Sequence, residues 1–333
     1  MRAPRFWARV PPTPLARMLQ PLGGMYGWAV ARNMERKGER VAAPVICVGN
    51  FVAGGAGKTP AAIALARLLI EMGERVAFLS RGYGGSTGET PVVVDPRRHR
   101  VAQVGDEPLL LARVAPTFVS RDRPRAARAA IAAGAGVLVL DDGLQNPALA
   151  KDFTLALVDG GFGFGNGLCL PAGPLRAPLA AQALHVALIV VVAGAQAIEA
   201  PAALAGKPTL AARLEPDASQ ADALRGKNVF AFAGIGRPEK FFETLEGLGA
   251  RLVARRGFPD HHRFAASELE AIFGEARKRG LAVVTTEKDF VRLPAAYAQK
   301  AVVLPVTLRF DDDRLLARLL ADALARRRAE ASA

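Results

Sequence analysis

Val45-Ile46-Cys47-Val48-Gly49-Asn50-Phe51-Val52-Ala53-Gly54-Gly55-Ala56-Gly57-Lys58-Thr59-Pro60 passes from a short apolar run, through a glycine-rich turn, into a stretch with helical spacing. A buried strand feeding a helix through such a turn is the setting of a phosphate-binding loop. The glycines let successive backbone N–H groups face a phosphate chain, and the helix presents the positive end of its dipole. Lys58 is then the cation for the β and γ phosphates, and Thr59 offers its hydroxyl to magnesium. The candidate nucleotide contacts are therefore Val52, Ala53, Gly54, Gly55, Ala56, Gly57, Lys58 and Thr59. Val52 stands where the usual spacing has its first glycine.

The same strand-then-helix rhythm continues downstream. Residues 60–72 predict a helix, 76–80 and 91–95 strands, 108–114 and 124–133 helices, and 137–140 a strand of apolar residues only. Strands apolar on both faces belong to a parallel sheet covered by helices on both sides. Residues 153–158 and 188–192 extend that sheet, so the fold class is α/β: a P-loop NTPase-like, doubly wound, mostly parallel sheet. Regularity lapses over 207–222. A second series then opens with strand 228–233, helix 238–248, strand 251–254, helix 267–279 and strand 282–285. The expected organisation is an N-terminal segment over 1–40, a kinase-like domain over 41–222 and a smaller α/β domain over 223–333. The last helix, 312–328, is free to pack back on the larger one.

The 333 residues are 51% apolar and 23% charged, a globular composition that excludes disordered and collagen-like classes. Two cysteines, Cys47 and Cys169, make neither a disulfide framework nor a four-ligand zinc site. The formal charge of +13 favours anionic partners. Residues 1–40 carry eight of the cations against Glu35 and Glu39, interleaved with Phe6, Trp7, Met18, Leu22, Met25, Tyr26 and Trp28. A basic amphipathic helix of this kind suits the interface of an anionic membrane. Pro21 and Gly23-Gly24 interrupt the uncharged run 18–31 and make it a poor secretory signal. Pro178, Gln182 and His185 make the charge-free stretch 177–198 a short helix and a buried strand rather than a membrane span.

Other groups suit the chemistry that a P-loop needs. Asp141-Asp142-Gly143-Leu144-Gln145 ends a buried strand, where a Walker B aspartate holds a metal, so Asp141 and Asp142 join Thr59 as candidate metal ligands. Asp106, in Gly105-Asp106-Glu107-Pro108, reads in isolation as a helix cap. Asp260-His261-His262 reads in isolation as a loop whose histidines satisfy turn hydrogen bonds. Thr286-Glu287-Lys288-Asp289 has the lysine one place late for guanine recognition and reads as a capping box. Gly234-Ile235-Gly236 lacks the third glycine of a dinucleotide fingerprint. On these residues alone a kinase of a soluble sugar or nucleoside, or a nucleic-acid-associated ATPase, stays open. The latter has no recognisable reading motif, so no nucleic-acid partner is expected.

Taken in order, Val48-Gly49-Asn50, Gly54 to Pro60, Ser80-Arg81-Gly82-Tyr83-Gly84, Val104-Gly105-Asp106-Glu107-Pro108, Asp141-Asp142-Gly143-Leu144-Gln145, Leu170-Pro171-Ala172-Gly173-Pro174-Leu175-Arg176, Asp260-His261-His262 and Thr286-Glu287-Lys288-Asp289 resemble the tetraacyldisaccharide 4′-kinase family, the lipid A 4′-kinases of Gram-negative bacteria. The resemblance implies ATP with Mg2+, and transfer of the γ-phosphoryl group to the 4′-hydroxyl of a tetraacylated glucosamine disaccharide 1-phosphate, giving lipid IVA. It also implies a peripheral location on the cytoplasmic side of the bacterial inner membrane, with no obligate protein partner evident. It makes Asp106 and His261 a dyad with Asp106 as base, keeps Lys58 as a catalytic cation, and makes Arg81, Gln145 and Arg176 candidate substrate contacts. A P-loop without the first glycine is likewise usual in that family. The chain departs from it at Ala177, where a glutamate is usual.

Overall fold

The computed structural model describes residues 4–54, 57–192 and 201–332, so Gly55 and Ala56 of the candidate loop lie outside the described residues. The larger sheet has nine strands, ordered β13-β8-β7-β6-β1-β5-β2-β4-β3. In chain order they are β1 (Val45–Asn50), β2 (Val76–Ser80), β3 (Val92–Val93), β4 (Thr117–Val119), β5 (Val137–Asp141), β6 (Phe153–Asp159), β7 (Leu188–Val192), β8 (Thr209–Pro216) and, much later, β13 (Val306–Phe310). All pairings are parallel except those of the edge strands, β3 with β4 and β13 with β8. Every residue of β1, β2, β5 and β6 is buried, as strands covered on both faces require.

One face is covered by the helix Lys58–Glu71, whose Ala61, Leu65 and Leu69 recur every four residues and pack with Ile46, Val139 and Leu155. Alanine at 61, 62 and 66 lets that helix lie close on the strands. The other face is covered by the helix Arg123–Ala132 and, further along the sheet, by a cluster that includes Phe51, Val52, Leu144 and Leu175. The helix Pro14–Met34 lies beside this second cluster and adds Met34 to it.

The second unit is a parallel four-stranded sheet ordered β10-β9-β11-β12. Its strands are β9 (Asn228–Ala233), β10 (Arg251–Gly257), β11 (Ala282–Thr286) and β12 (Ala301–Leu304), with the helices Pro238–Gly247 and Ala266–Arg279 packed against it.

Two stretches differ from the sequence expectation. Residues 207–222, expected to be irregular, contain β8 and the start of the helix Ala218–Leu224. In β8 Leu210 and Ala212 point inward while Arg213 and Glu215 face out and pair with Asp311 and Arg309 in and just after β13. A weak period-2 alternation of this sort, completed by a partner almost a hundred residues away, leaves little local signal. The chain after β12 also leaves the second unit at Pro305: β13 closes the edge of the first sheet, and the helix Asp313–Ser332 buries Leu316, Leu320 and Leu324 in the first core. Residues 306–332 thus belong structurally with the larger unit. The strand expected at 91–95 shortens to Val92–Val93. Among the described residues no helix is long and apolar enough to cross a membrane.

Leu320 is fully buried against the P-loop helix core. Leu320→Ala is therefore expected to lower the unfolding free energy by about 2–5 kcal/mol, a loss that urea denaturation of the full chain measures directly.

Candidate active site

The register of the central strands brings the sequence motifs together. Val48 of β1 lies beside Asp141 of β5, so the loop that leaves β1 and the Asp141-Asp142 pair that ends β5 share one edge of the sheet. Ligands of open α/β sheets bind outside these carboxyl ends. Thr59 Oγ1 donates to Asp141 Oδ2 at 3.2 Å. Asp141 is buried and its Oδ1 has no hydrogen-bond partner among the described residues. Burial, then the carboxylates of Glu107 and Asp142, push the Asp141 carboxyl up, against the opposing pull of Lys58 and Thr59. A hydroxyl and a carboxylate with a free, desolvated oxygen form a hard-oxygen donor pair. That pair suits a magnesium ion bound jointly with phosphate oxygens.

Asp142 points elsewhere. Its backbone has φ 59°, in the left-handed region, which turns its side chain away from that of Asp141. Arg176 grips it with both terminal nitrogens, Nη1 to Oδ1 at 2.6 Å and Nη2 to Oδ2 at 3.1 Å, and Lys58 Nζ lies 3.7 Å away. Burial works against its charge, but Lys58 and Arg176 outweigh it and hold the carboxyl well below the usual range. The structure thus assigns the two aspartates, both candidate metal ligands on sequence, to different partners. Asp141 pairs with Thr59, and Asp142 is the counter-ion of Lys58 and Arg176.

Two of the candidate substrate contacts also have internal duties. Arg176 donates Nε to the Val52 carbonyl at 3.2 Å, and Gln145 donates to the Asn50 carbonyl at 2.8 Å. Both therefore brace the phosphate loop. Arg81 is exposed, with no side-chain hydrogen bond or ion pair among the described residues. Val52 replaces a glycine at no steric cost, because its side chain is buried with Phe51 and Leu175 and its backbone pairs with Leu175. Lys58 Nζ and Asn50 Nδ2 both reach the Gly54 carbonyl, at 3.2 and 3.1 Å. Ala177, at the departure from the usual glutamate, is buried in the apolar cluster and accepts a hydrogen bond from Gln182 at 2.6 Å through its carbonyl.

The second unit supplies the opposite wall. Asp106 heads a short helix after Gly105, which has φ 88° and where a Cβ would lie only 2.6 Å from the Tyr83 carbonyl oxygen. Its carboxylate meets His261 Nδ1 at 3.1–3.2 Å across 155 residues of sequence. His261 has φ 57°, and among the described residues it and Asp142 are the only non-glycine positions with positive φ. Both lie at this site, where backbone strain concentrates.

Two cations complete the group. Arg292 donates Nε to Asp106 Oδ2 at 2.8 Å, with Nη2 on the same oxygen. Lys288 Nζ lies 2.9 Å from Glu107 Oε1 and 3.3 Å from His261 Nε2. Burial alone would lift the Asp106 carboxyl, but His261, Lys288 and Arg292 together hold it well below the ordinary carboxylate range. Neither cation was singled out from the sequence. Lys288 sits inside a motif legible as a capping box, of which the N-cap half is present, the Asp289 N–H donating to Thr286 Oγ1 at 3.1 Å, and nothing local to Arg292 indicates that it faces residue 106.

Between the two walls lies a cavity of about 310 Å³, floored by Lys58 and Thr59 and bounded by Ile235, Lys240, Phe241 and Lys288. Across it Arg237 pairs with Asp159 at 3.1 Å. Cations and a P-loop at one end and apolar side chains at the other suit a nucleoside triphosphate.

A family model described as tetraacyldisaccharide-1-P 4′-kinase, LpxK, matches residues 15–325. The tetraacyldisaccharide 4′-kinase of Methylobacterium sp. strain 4-46 is 58% identical over 99% of both chains. That of Paramagnetospirillum magneticum is 52% identical over 95% of this chain and 97% of its own. A crystal structure of LpxK from Aquifex aeolicus in complex with ATP superposes with a TM-score of 0.72 and 26% identity, over 93% of this chain and 99% of that one.

The different partners of the two aspartates yield a measurable contrast. Asp141→Asn is expected to raise the concentration of magnesium needed for nucleotide binding, whereas Asp142→Asn loosens Arg176 and Lys58 and weakens nucleotide binding at any magnesium level. Titrating magnesium against nucleotide affinity in both variants separates the two.

Proposed function

The chain belongs to the tetraacyldisaccharide-1-P 4′-kinase family and phosphorylates the 4′-hydroxyl of a tetraacylated glucosamine disaccharide 1-phosphate from ATP, and we propose that Lys58, His261 and Asp106 carry that transfer. The observation that carries this assignment is the meeting of Asp106 and His261 across the cleft that holds the P-loop.

Phosphoryl transfer asks for positioning, neutralised charge and one acceptor for the hydroxyl proton. Lys58 supplies fixed positive charge to the β and γ phosphates. Thr59 and Asp141 would hold magnesium, which when bound neutralises charge on the phosphate oxygens. The sequence reading makes Asp106 the base and His261 its orienting partner; the geometry favours the reverse order. Asp106 is 2% exposed, and its oxygens already receive Arg292, His261 and the Glu107 N–H. With the Asp106 carboxylate accepting from Nδ1–H, the tautomer that serves as a base has its lone pair on Nε2, where Lys288 at 3.3 Å yields to the acceptor hydroxyl and keeps Glu107 at 2.9 Å. His261 Nε2 then takes the proton as the acceptor oxygen bonds to the γ phosphorus and ADP departs. Asp106 steadies the imidazolium that results. No observation favours a soluble acceptor or a nucleic acid.

We further propose that the helix Pro14–Met34 rests on the cytoplasmic surface of the inner membrane. Leu15, Met18, Leu22, Met25 and Tyr26 recur at spacings of three and four and are exposed, while Ala16, Gly23, Gly27 and Met34 form the buried face. Arg17, Arg32 and Arg36 flank the apolar stripe, which suits anionic headgroups. Trp7 instead donates its indole N–H to the Pro171 carbonyl at 3.0 Å and ties the segment to the body of the protein.

A kinase assay with radiolabelled ATP and the tetraacyl disaccharide 1-phosphate tests the reaction: label is expected in the lipid, and lipid-independent ATP hydrolysis would overturn it. Asp106→Asn and His261→Ala are each expected to lower kcat by roughly 10² to 10⁴ with ATP binding retained. Because a dyad acts as one unit, the double variant should be little worse than the poorer single one, and steady-state kinetics reads the difference. Replacing Met18, Leu22, Met25 and Trp28 with serine should release the protein from anionic vesicles in a sedimentation assay and raise KM for the lipid, leaving ATP affinity unchanged. Continued vesicle binding would place the lipid contact elsewhere.

A further inference from the structure

Arg292 is 4% exposed at its side chain, and all three nitrogens of its guanidinium donate hydrogen bonds. Nη1 is spent inside the second unit, on the Gly234 carbonyl at 2.9 Å and Asp289 Oδ1 at 3.0 Å. Asp289 is itself pinned: both its oxygens accept from the Gly234 N–H at 3.0 Å, and Thr286 Oγ1 donates to Oδ2 at 2.6 Å. A Cβ on Gly234 would come within 3.2 Å of the Pro259 carbonyl and 3.3 Å of the His262 Cβ, so the same turn seats the loop that carries His261. The Gly234 turn therefore fixes two things at once: the His261 loop, and the edge of Arg292 formed by Nε and Nη2. That edge faces the first unit, and Asp106 occupies it.

We propose that Arg292 is the positioning residue of the dyad, a fork built on the second unit in which the Asp106 carboxylate of the first unit seats so that it meets His261. The inference rests on the reading of Asp106 and His261 as the proton-handling pair. The guanidinium takes Oδ2 with the edge formed by Nε and Nη2, the Glu107 N–H takes Oδ1, and His261 Nδ1 stands 3.1–3.2 Å from both oxygens. A planar, permanently charged fork does this where an ammonium cannot. Joining the two units and aligning the dyad then become one event.

The charged and titratable groups around Asp106 are His261 and Asp260 from the histidine loop, Lys288, Asp289 and Arg292 from the second unit, and Glu107 beside it. Removing Arg292 takes one of the two permanent cations, the other being Lys288, from a carboxyl whose ionised form is needed. Asp106 then protonates at higher pH. While still ionised, it also stabilises the imidazolium more strongly, and both effects disable the dyad at higher pH than in the parent.

The test uses the full chain with Arg292→Met and Arg292→Lys, following thermal unfolding, ATP affinity, and kcat and KM for the lipid across pH. Arg292→Met is expected to bind ATP as the parent does, to lose about tenfold or more in kcat, and to show the acid limb of kcat moved up by about one to three pH units. Arg292→Lys should restore the position of the limb and only part of kcat. Added to Asp106→Asn, Arg292→Met should cost little more, since both act through one carboxylate. An acid limb that stays in place, or losses that multiply in the double variant, would reduce Arg292 to a packing residue. Arg292→Gln keeps a donor for the Gly234 carbonyl and removes the charge, so it carries the same test if Arg292→Met does not fold. Full kcat in Asp106→Asn would instead sink the dyad reading, a result that the limb measurement does not imitate.

Discussion

The pairing of β1 between β5 and β6 is the constraint on which the rest is built. β1 is buried along its whole length, so its backbone groups must be satisfied by neighbouring strands. The parallel register that satisfies them sets Val48 beside Asp141 and Asn50 beside Leu157. Once that register exists, the turn leaving β1 opens at the level where β5 ends, and Thr59 reaches Asp141 across the shortest available path. A slip of one residue would reverse the facing of every side chain in a strand buried on both sides. The nucleotide floor is thus a by-product of how the core closes.

Above that floor the two units are joined by ion pairs as well as by the apolar contact of Val291 with the cluster of Val104, Leu109 and Val119. Asp106 with Arg292, Glu107 with Lys288, and Asp159 with Arg237 bridge the cleft, and the first carboxylate and its guanidinium are almost wholly removed from solvent. Desolvated pairs of this kind add little net stability, because burial cancels most of the attraction. They discriminate strongly between aligned and misaligned arrangements, which is what a site assembled from two units needs. The same logic separates the two adjacent aspartates. Asp142 is neutralised by Arg176 and Lys58, while Asp141 keeps a buried oxygen with no hydrogen-bond partner among the described residues.

The N-terminal helix shows how one element serves two surfaces. Gly23 and Gly27 allow the helix to approach the chain at Cys169 so closely that a Cβ would meet the carbonyl at 2.6 Å or the Sγ at 2.7 Å. That close seat turns the opposite face, with Met18, Leu22 and Met25, outward. The segment that Gly23 and Gly27 touch continues through Pro174 and Leu175 to Arg176, the clamp on Asp142. The apolar face and the phosphate loop are therefore attached to one short stretch of chain.

Much of this was legible in the sequence because it is local. The strand, turn and helix around Lys58, the apolar runs at 137–140 and 153–158, and the alternation of cations with aromatic residues before residue 40 all follow from side chains adjacent in the chain. Asp106 and His261 in isolation read as a cap and a turn histidine; only their place in an ordered series of motifs marked them as partners. β8 escaped because its alternation is weak and its partner β13 lies almost a hundred residues downstream. The division of labour between Asp141 and Asp142, and the arrival of Lys288 and Arg292 opposite Asp106, were likewise out of reach. Sequence determined which chemical groups this protein owns and the local elements that carry them. Tertiary structure alone decided which charges face each other, because long-range pairing depends on the closure of two sheets and is not encoded in the spacing of any single segment.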